Sequence, residues 1–352
     1  MARRLRLLAL VLTMTPLGCG LIAGLRDWEE GDPSTVPGQD GAPDTSSSNG
    51  EGGPGSDSGI DSATDATTDG AVVDDGGCDP SKPFGQPVVL KELDVSNSLE
   101  GGGRLSPDEL HIYFSSNRPF GPPTATNILT ADRTSVIGTF GTPRLVANVN
   151  PPADDNDYAP TVTGDGLTLY FTHETTTAVL YQSTRSAPGD PFGFGAVVLD
   201  ESPAALVASP FLTEDGSKVY YVRRPSGGKD DIYCAPRPAT GLVVGAADVT
   251  ELNSADNDTA PTLSRDELTV YFASDRPAAG KVGSDLDIWV ARRAAKGVAF
   301  DAPTRVVELA SSSNDIPSWI SADDCRLYIY GSRPVPGGSG NDQAVWLARR
   351  GR

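Results

Sequence analysis

The sequence predicts an all-β fold: a five-bladed β-propeller closed by its N-terminal strand and preceded by a signal and a disordered acidic tether. Three observations carry that expectation. A unit of four short strands recurs five times. An unmatched fourth strand opens the series, and the last unit lacks one. The segment before them has almost no large apolar side chains.

The clearest element of each unit is an apolar strand with a central tyrosine: LHIYFSSNR at 110–118, LTLYFTHE at 167–174, SKVYYVRR at 217–224, LTVYFASDR at 268–276 and CRLYIYGSR at 325–333. Tyr113, Tyr170, Tyr220, Tyr271 and Tyr328 stand 57, 50, 51 and 57 residues apart. Asp108, Asp165, Asp215, Asp266 and Asp323 precede these strands in tight turns, where an Asp side chain bonds nearby backbone N–H groups. A short strand comes before each turn, as in PTVT at 160–163 and PTLS at 261–264. A polar loop and a third strand ending in Arg follow, as in NILTADR at 127–133 and DIWVARR at 287–293. The fourth strand opens with Phe in several copies, as in FGTPRLVANV at 140–149 and FDAPTRVVEL at 300–309. Gly, Pro and Asp at the turns and the lack of a helical period make each unit a propeller blade.

Ring closure follows from the ends. FGQPVVLKEL at 84–93 is a fourth strand with no first three before it, and the last unit stops at Arg352 without one. Pairing them removes an exposed edge. The same argument predicts a disulfide between Cys78 and Cys325, because export places the chain in an oxidising compartment. Cys78 lies just before the closing strand, and Cys325 takes the place of Leu110, Leu167 and Leu268 in the final blade. The alternative leaves Cys325 a buried thiol and Cys78 part of the tether. Cys234 falls in the third blade.

The S-x-D-G-x-x-L-Y-F pattern followed by D-I-W-V-A-R resembles the PD40, or WD40-like, repeats of the TolB propeller family across nearly all of 84–350. That resemblance implies a repeat type rather than an activity, since such blades serve in periplasmic scaffolds, in peptidoglycan-associated proteins and beside peptidases. No OmpA-like module or peptidase domain is legible, so neither of those roles carries over.

The N-terminus reads as an address. Arg3, Arg4 and Arg6, the apolar run LLALVL at 7–12 and TMTPLGCG at 13–20 have the order of a secretory signal. The segment resembles a bacterial lipoprotein signal, with Pro16 where that family prefers Leu, and this implies cleavage after residue 18 and lipidation of Cys19. Gly20 rather than Asp after the Cys implies the outer membrane. Plain secretion and an uncleaved anchor over the apolar 7–25 are the other readings. Residues 19–77 form the tether, in which 27–77 hold 13 acids and no Lys or Arg. Such a composition buries too little surface to offset the entropy of ordering it. The propeller occupies 78–352.

A formal charge of −19, spread over tether and body, repels phosphate and excludes nucleic acid as a partner. The two His, His111 and His173, and four Cys show no CxxC or HxxxH spacing, which removes the common zinc sites, and neither His sits in a triad motif.

The loops leading into the innermost strands read N-D-Y-A-P at 156–160, N-D-T-A-P at 257–261 and N-D-I-P-S at 314–318. Alignment places Glu100, Asp157, Val207, Asp258 and Asp315 at one height around the channel mouth. Four carboxylates with Asn156, Asn257 and Asn314 form an oxygen-rich candidate site for calcium or a cationic ligand. The competing reading is that each caps its own loop. Arg118, Arg276 and Arg333 end second strands and Asp231 and Asp287 begin third strands, so Arg–Asp pairing competes with anion capture. The expected function is a cell-envelope lipoprotein anchored through its lipid, its propeller a non-catalytic scaffold for an envelope protein or glycan, with no required cofactor. The alternative is a glycosidase-like enzyme using two mouth carboxylates about 5 to 9.5 Å apart.

Overall fold

The computed structural model describes residues 77–119, 125–150, 155–281, 283–337 and 343–352. The expected signal, the expected lipidation residue Cys19 and nearly all of the expected tether lie outside these residues. The described chain folds into five four-stranded antiparallel sheets. Blade 1 comprises β2 (Glu100–Leu105), β3 (His111–Ser116), β4 (Asn127–Asp132) and β5 (Arg144–Leu145). Blade 2 comprises β6 (Asn156–Val162), β7 (Thr168–Glu174), β8 (Ala178–Thr184) and β9 (Ala196–Leu199). Blade 3 is β10 (Ala205–Leu212), β11 (Lys218–Pro225), β12 (Asp231–Pro236) and β13 (Ala247–Asp248). Blade 4 is β14 (Asp258–Leu263), β15 (Thr269–Ser274), β16 (Asp287–Arg292) and β17 (Thr304–Arg305). Blade 5 is β18 (Asp315–Ile320), β19 (Arg326–Gly331) and β20 (Ala344–Arg349), completed by β1 (Val88–Val89).

Closure is therefore made by the N-terminal strand: Val88 pairs with Leu347 and Val89 with Trp346, and a bridge joins Phe84 to Arg350. A disulfide links Cys78 to Cys325, with 6.1 Å between their Cα atoms.

The repeated residues stitch one blade to the next. The third-strand arginine donates to the carbonyl of its own turn, as Arg133 to Glu109 at 2.7 Å, Arg185 to Gly166 at 2.7 Å and Arg293 to Glu267 at 2.7 Å. It also reaches the hydroxyl of the preceding blade's tyrosine: Arg133 to Tyr328 at 3.1 Å, Arg185 to Tyr113 at 3.3 Å and Arg350 to Tyr271 at 2.9 Å. The phenylalanine that opens the fourth strand lies under the guanidinium, as in Arg133 over Phe140, Arg293 over Phe300 and Arg350 over Phe84. One arginine thus ties three elements, its guanidinium met by carbonyl, hydroxyl and ring, and in Arg133 and Arg293 also by the carboxylates of Glu109 and Glu267. Beside these stitches the residue after each tyrosine, Phe114, Phe171, Tyr221, Phe272 or Ile329, is fully buried. Each such side chain contributes about 1.5–3 kcal/mol by leaving water.

The turn aspartates are structural. Asp165 Oδ1 accepts from Thr163 Oγ1 at 2.6 Å and from the Leu167 N–H at 2.9 Å, and Asp266 repeats the pattern with Ser264 and Leu268. Innermost strands carry a bulge in every blade. Ala159, Ser209 and Ala260 adopt φ of 50°, 51° and 52° there, directly before a proline. The left-handed region strains a residue with a Cβ, so surrounding contacts hold these bulges in place.

Candidate functional site

The N-D loops are clips between blades. Asp157 N–H donates to Thr126 O at 2.8 Å while Asn156 Oδ1 accepts from the Thr126 N–H at 2.9 Å. Asp258 and Asn257 hold Asp230 in the same way, and Asp315 and Asn314 hold Leu286. In each case the held residue precedes the third strand of the preceding blade.

The carboxylates of the ring are buried behind these clips. Glu100, Asp157, Asp258 and Asp315 are all 0 % exposed. Three face a guanidinium from their own blade: Arg118 lies 3.1 Å from Glu100, Arg276 contacts Asp258 and Arg333 Nε lies 2.6 Å from Asp315. The same arginines donate to the carbonyls of Leu93, Leu252 and Leu309, which belong to the outgoing connection of the preceding blade. The second oxygens of Asp258 and Asp315 accept from the backbone N–H and hydroxyl of Ser254 and Ser311. The candidate cation site expected from Glu100, Asp157, Asp258, Asp315 and the three asparagines is thus four separate, internally paired groups. Among the described residues no cluster of three or more His, Cys, Asp or Glu could hold a metal ion. The partners of Arg118, Arg276 and Arg333 are these mouth carboxylates rather than Asp231 and Asp287; Asp287 is paired instead with Lys281 at 3.3 Å and Arg305 at 2.9 Å.

The pattern breaks in blades 2 and 3. Thr175 and Pro225 stand where the other blades have the arginine five residues after the tyrosine. Blade 3 has lost the acid too: Val207 is opposite Arg223, which turns to Glu201 at 2.6 Å. Blade 2 keeps Asp157, and its base becomes His173, whose Nδ1 lies 2.9 Å from Asp157 Oδ1. Tyr181 packs on the His173 ring at 4.5 Å, and Asp155 lies 4.0 Å from Nε2. Asp157 Oδ2 is buried without a partner. Burial raises the Asp157 pKa to about 6, against the hydrogen bond and charge of His173, which lower it.

Beside this pair is a cavity of about 180 Å³ at the mouth, lined by Leu99, Gly101, Ser115, Tyr158, Tyr330 and Gln343 among others. Tyr158 hydrogen-bonds Glu174, and burial with that neighbouring charge pushes its phenol well above the usual range. Burial pushes Tyr330 up to about 12. Further in, the channel is plugged by Arg104 of β2, which stacks 4.4 Å over Phe211 and donates to the carbonyl of Pro261 at 3.3 Å. Its burial lowers its pKa to about 9. Arg104 and His173 were absent from the sequence-derived site; the signal for His173 lay in aligning the five blades beyond the tyrosine and asking which blade lacks its arginine.

No family model and no curated protein matches the chain. Solved structures do. An α-L-arabinofuranosidase from Podospora anserina, in complex with cellotriose, is 10% identical over 78% of this chain and 98% of its own, with a TM-score of 0.50. A thermostable family-43 glycoside hydrolase is 15% identical over 72% and 92%, with a TM-score of 0.46. A TolB-type protein of Agrobacterium tumefaciens is 16% identical over 70% and 73%, with a TM-score of 0.42. At these identities the likeness reaches the fold and stops there: the chain is an all-β protein with a five-bladed β-propeller.

Proposed function

We propose that this propeller, of the PD40 repeat type, is a non-catalytic binding scaffold held at the cell envelope by a lipid on Cys19. Its partner is an envelope protein or glycan. The observation that carries the reading is the state of the mouth carboxylates. A glycosidase of the expected kind needs two carboxyl groups open to substrate, one of them free to donate a proton. Glu100, Asp258 and Asp315 are instead buried against arginines and serve blade-to-blade packing. Among the described residues the mouth also holds a small cavity walled by Tyr158 and Tyr330. Aromatic and polar groups of that kind favour contact with a sugar ring or a side chain.

Pull-down from envelope extract with the full chain as bait, and a tether-only peptide as control, tests the reading. Retention of a defined protein or glycan by the full chain, lost on changing Tyr158 and Tyr330 to Ala, is expected. Equal retention by the tether, or turnover of arabinosyl substrates by the purified chain, would sink it.

A further inference from the structure

We propose that the groove between blades 1 and 2, on the face of the S-x-D turns, binds a ligand through one carboxylate group. The ligand takes the place of a glutamate that two other blade interfaces supply from their own turn. The inference goes beyond the scaffold reading and does not rest on it.

The repeat provides the comparison. Where blade 5 meets blade 1, the turn residue Glu109 sits between two bases. Arg326, two residues before the blade 5 tyrosine, lies 2.8 Å from it, and the third-strand Arg133 lies 3.5 Å away. Where blade 3 meets blade 4, Glu267 does the same with Lys218 at 3.1 Å and Arg293 at 3.3 Å. Both glutamates hold φ near the left-handed value, 59° and 58°.

The blade 1–blade 2 interface has both bases, and its turn supplies no acid. His111 stands two residues before Tyr113, and Arg185 ends the third strand of blade 2, but the turn residue is Gly166, at φ 69°. Arg185 donates to the Gly166 carbonyl, to Tyr113 Oη at 3.3 Å and to the Asp190 carbonyl at 3.4 Å; among the described residues it forms no ion pair. His111 gives Nδ1 to Asp132 at 2.6 Å and is half exposed. A groove of about 690 Å³ lies here, lined by Gly166 and by both bases. At the blade 2–blade 3 interface, where the turn residue is again a glycine, Gly216, the position two residues before the tyrosine is Thr168, so only one base is present.

Of the acids that line the groove, Asp108 and Asp165 are bound within their turns and Asp132 pairs with His111 and with Arg144 at 2.6 Å, while Asp190 meets Arg185 through its carbonyl. Arg185 Nη1 and Nη2 each carry a second N–H beyond those given to Asp190 and Tyr113, and a Cβ built on Gly166 would stand 3.3 Å from Nη2, so a carboxylate at the turn meets the guanidinium. Such a planar donor pair favours a carboxylate over a spherical anion. The volume falls in the range of small-molecule sites, so the ligand carries more than the acid itself.

The protein has two histidines, which makes their ring signals clean reporters. The full chain is titrated with glutarate at constant ionic strength, with chloride as the control anion, while the His111 and His173 C–H resonances are followed by NMR. A saturable shift of His111 with His173 unmoved is expected. Arg185→Gln should weaken that response about tenfold, the usual effect of losing a charged hydrogen bond. Gly166→Glu, which supplies the carboxylate internally in a backbone conformation that Glu109 and Glu267 already adopt, should abolish it and raise the Tm. A shift that chloride reproduces, or one that survives in Gly166→Glu and Arg185→Gln alike, would overturn the proposal.

Discussion

A carboxylate removed from water persists as an ion only where a base and hydrogen-bond donors replace the solvent, and the mouth of this propeller shows the requirement met in three of its five blades. Removing one partner leaves the other charge buried alone. Arg276→Ala should therefore lower stability by about 3–5 kcal/mol in a denaturant titration. Arg144→Ala, at a pair where the arginine is 58 % exposed, should cost under about 1 kcal/mol. Similar losses for the two variants would contradict the clip assignment. Asp157, with a histidine in place of arginine, behaves differently. Its pKa of about 6 exceeds the unfolded value of 3.8, so the folded chain binds its proton more tightly. Its ionisation then opposes folding, and stability falls as pH rises from about 4 to about 6, by up to about 3 kcal/mol. The measurement is the Tm of the parent and of Asp157→Asn across that window. The variant should lack this contribution, so the two curves converge toward low pH and separate toward pH 7.

Elements were more legible than side-chain partners. Each blade strand was visible because tyrosine, turn aspartate and strand-end arginine recur in order, and all three prove to be packing devices repeated from interface to interface. Closure was legible from the unmatched strand at 84–93, though only Val88–Val89 of it forms the ladder. The role of the N-D loops was not. A row of acids aligned in sequence looks the same whether it converges on a ligand or is partnered one by one. The difference depends on which way Arg118, Arg276 and Arg333 fold back, and no local pattern encodes that. The disulfide belongs to this scale as well. Linking residues 247 apart limits the unfolded chain, and loop-entropy reasoning gives about 5 kcal/mol. Digestion without reductant should yield a Cys78 peptide joined to a Cys325 peptide, and Cys325→Ser should lower the Tm. A Cys78 peptide recovered free would remove the link.

For the whole molecule, the described chain is a closed ring whose channel Arg104 plugs, so the proposed binding belongs to its rims, and the proposed lipid anchor would decide which surroundings those rims meet. If Cys19 carries lipid, the parent chain should enter the detergent phase on Triton partitioning and Cys19→Ser should stay in the aqueous phase. Equal partitioning of both would discard the anchor. An anchored domain is pulled through the residue where the linker joins it, and here that residue is Cys78, bonded to the second strand of the final blade. Tension arriving along the linker is handed at once to Cys325, so the short closing strand lies outside the load path. Unzipping β1 from β20 under traction would require the sulfur bridge to break first. In mechanical terms the bridge is a strain relief for the seam that joins the closing segment to β20.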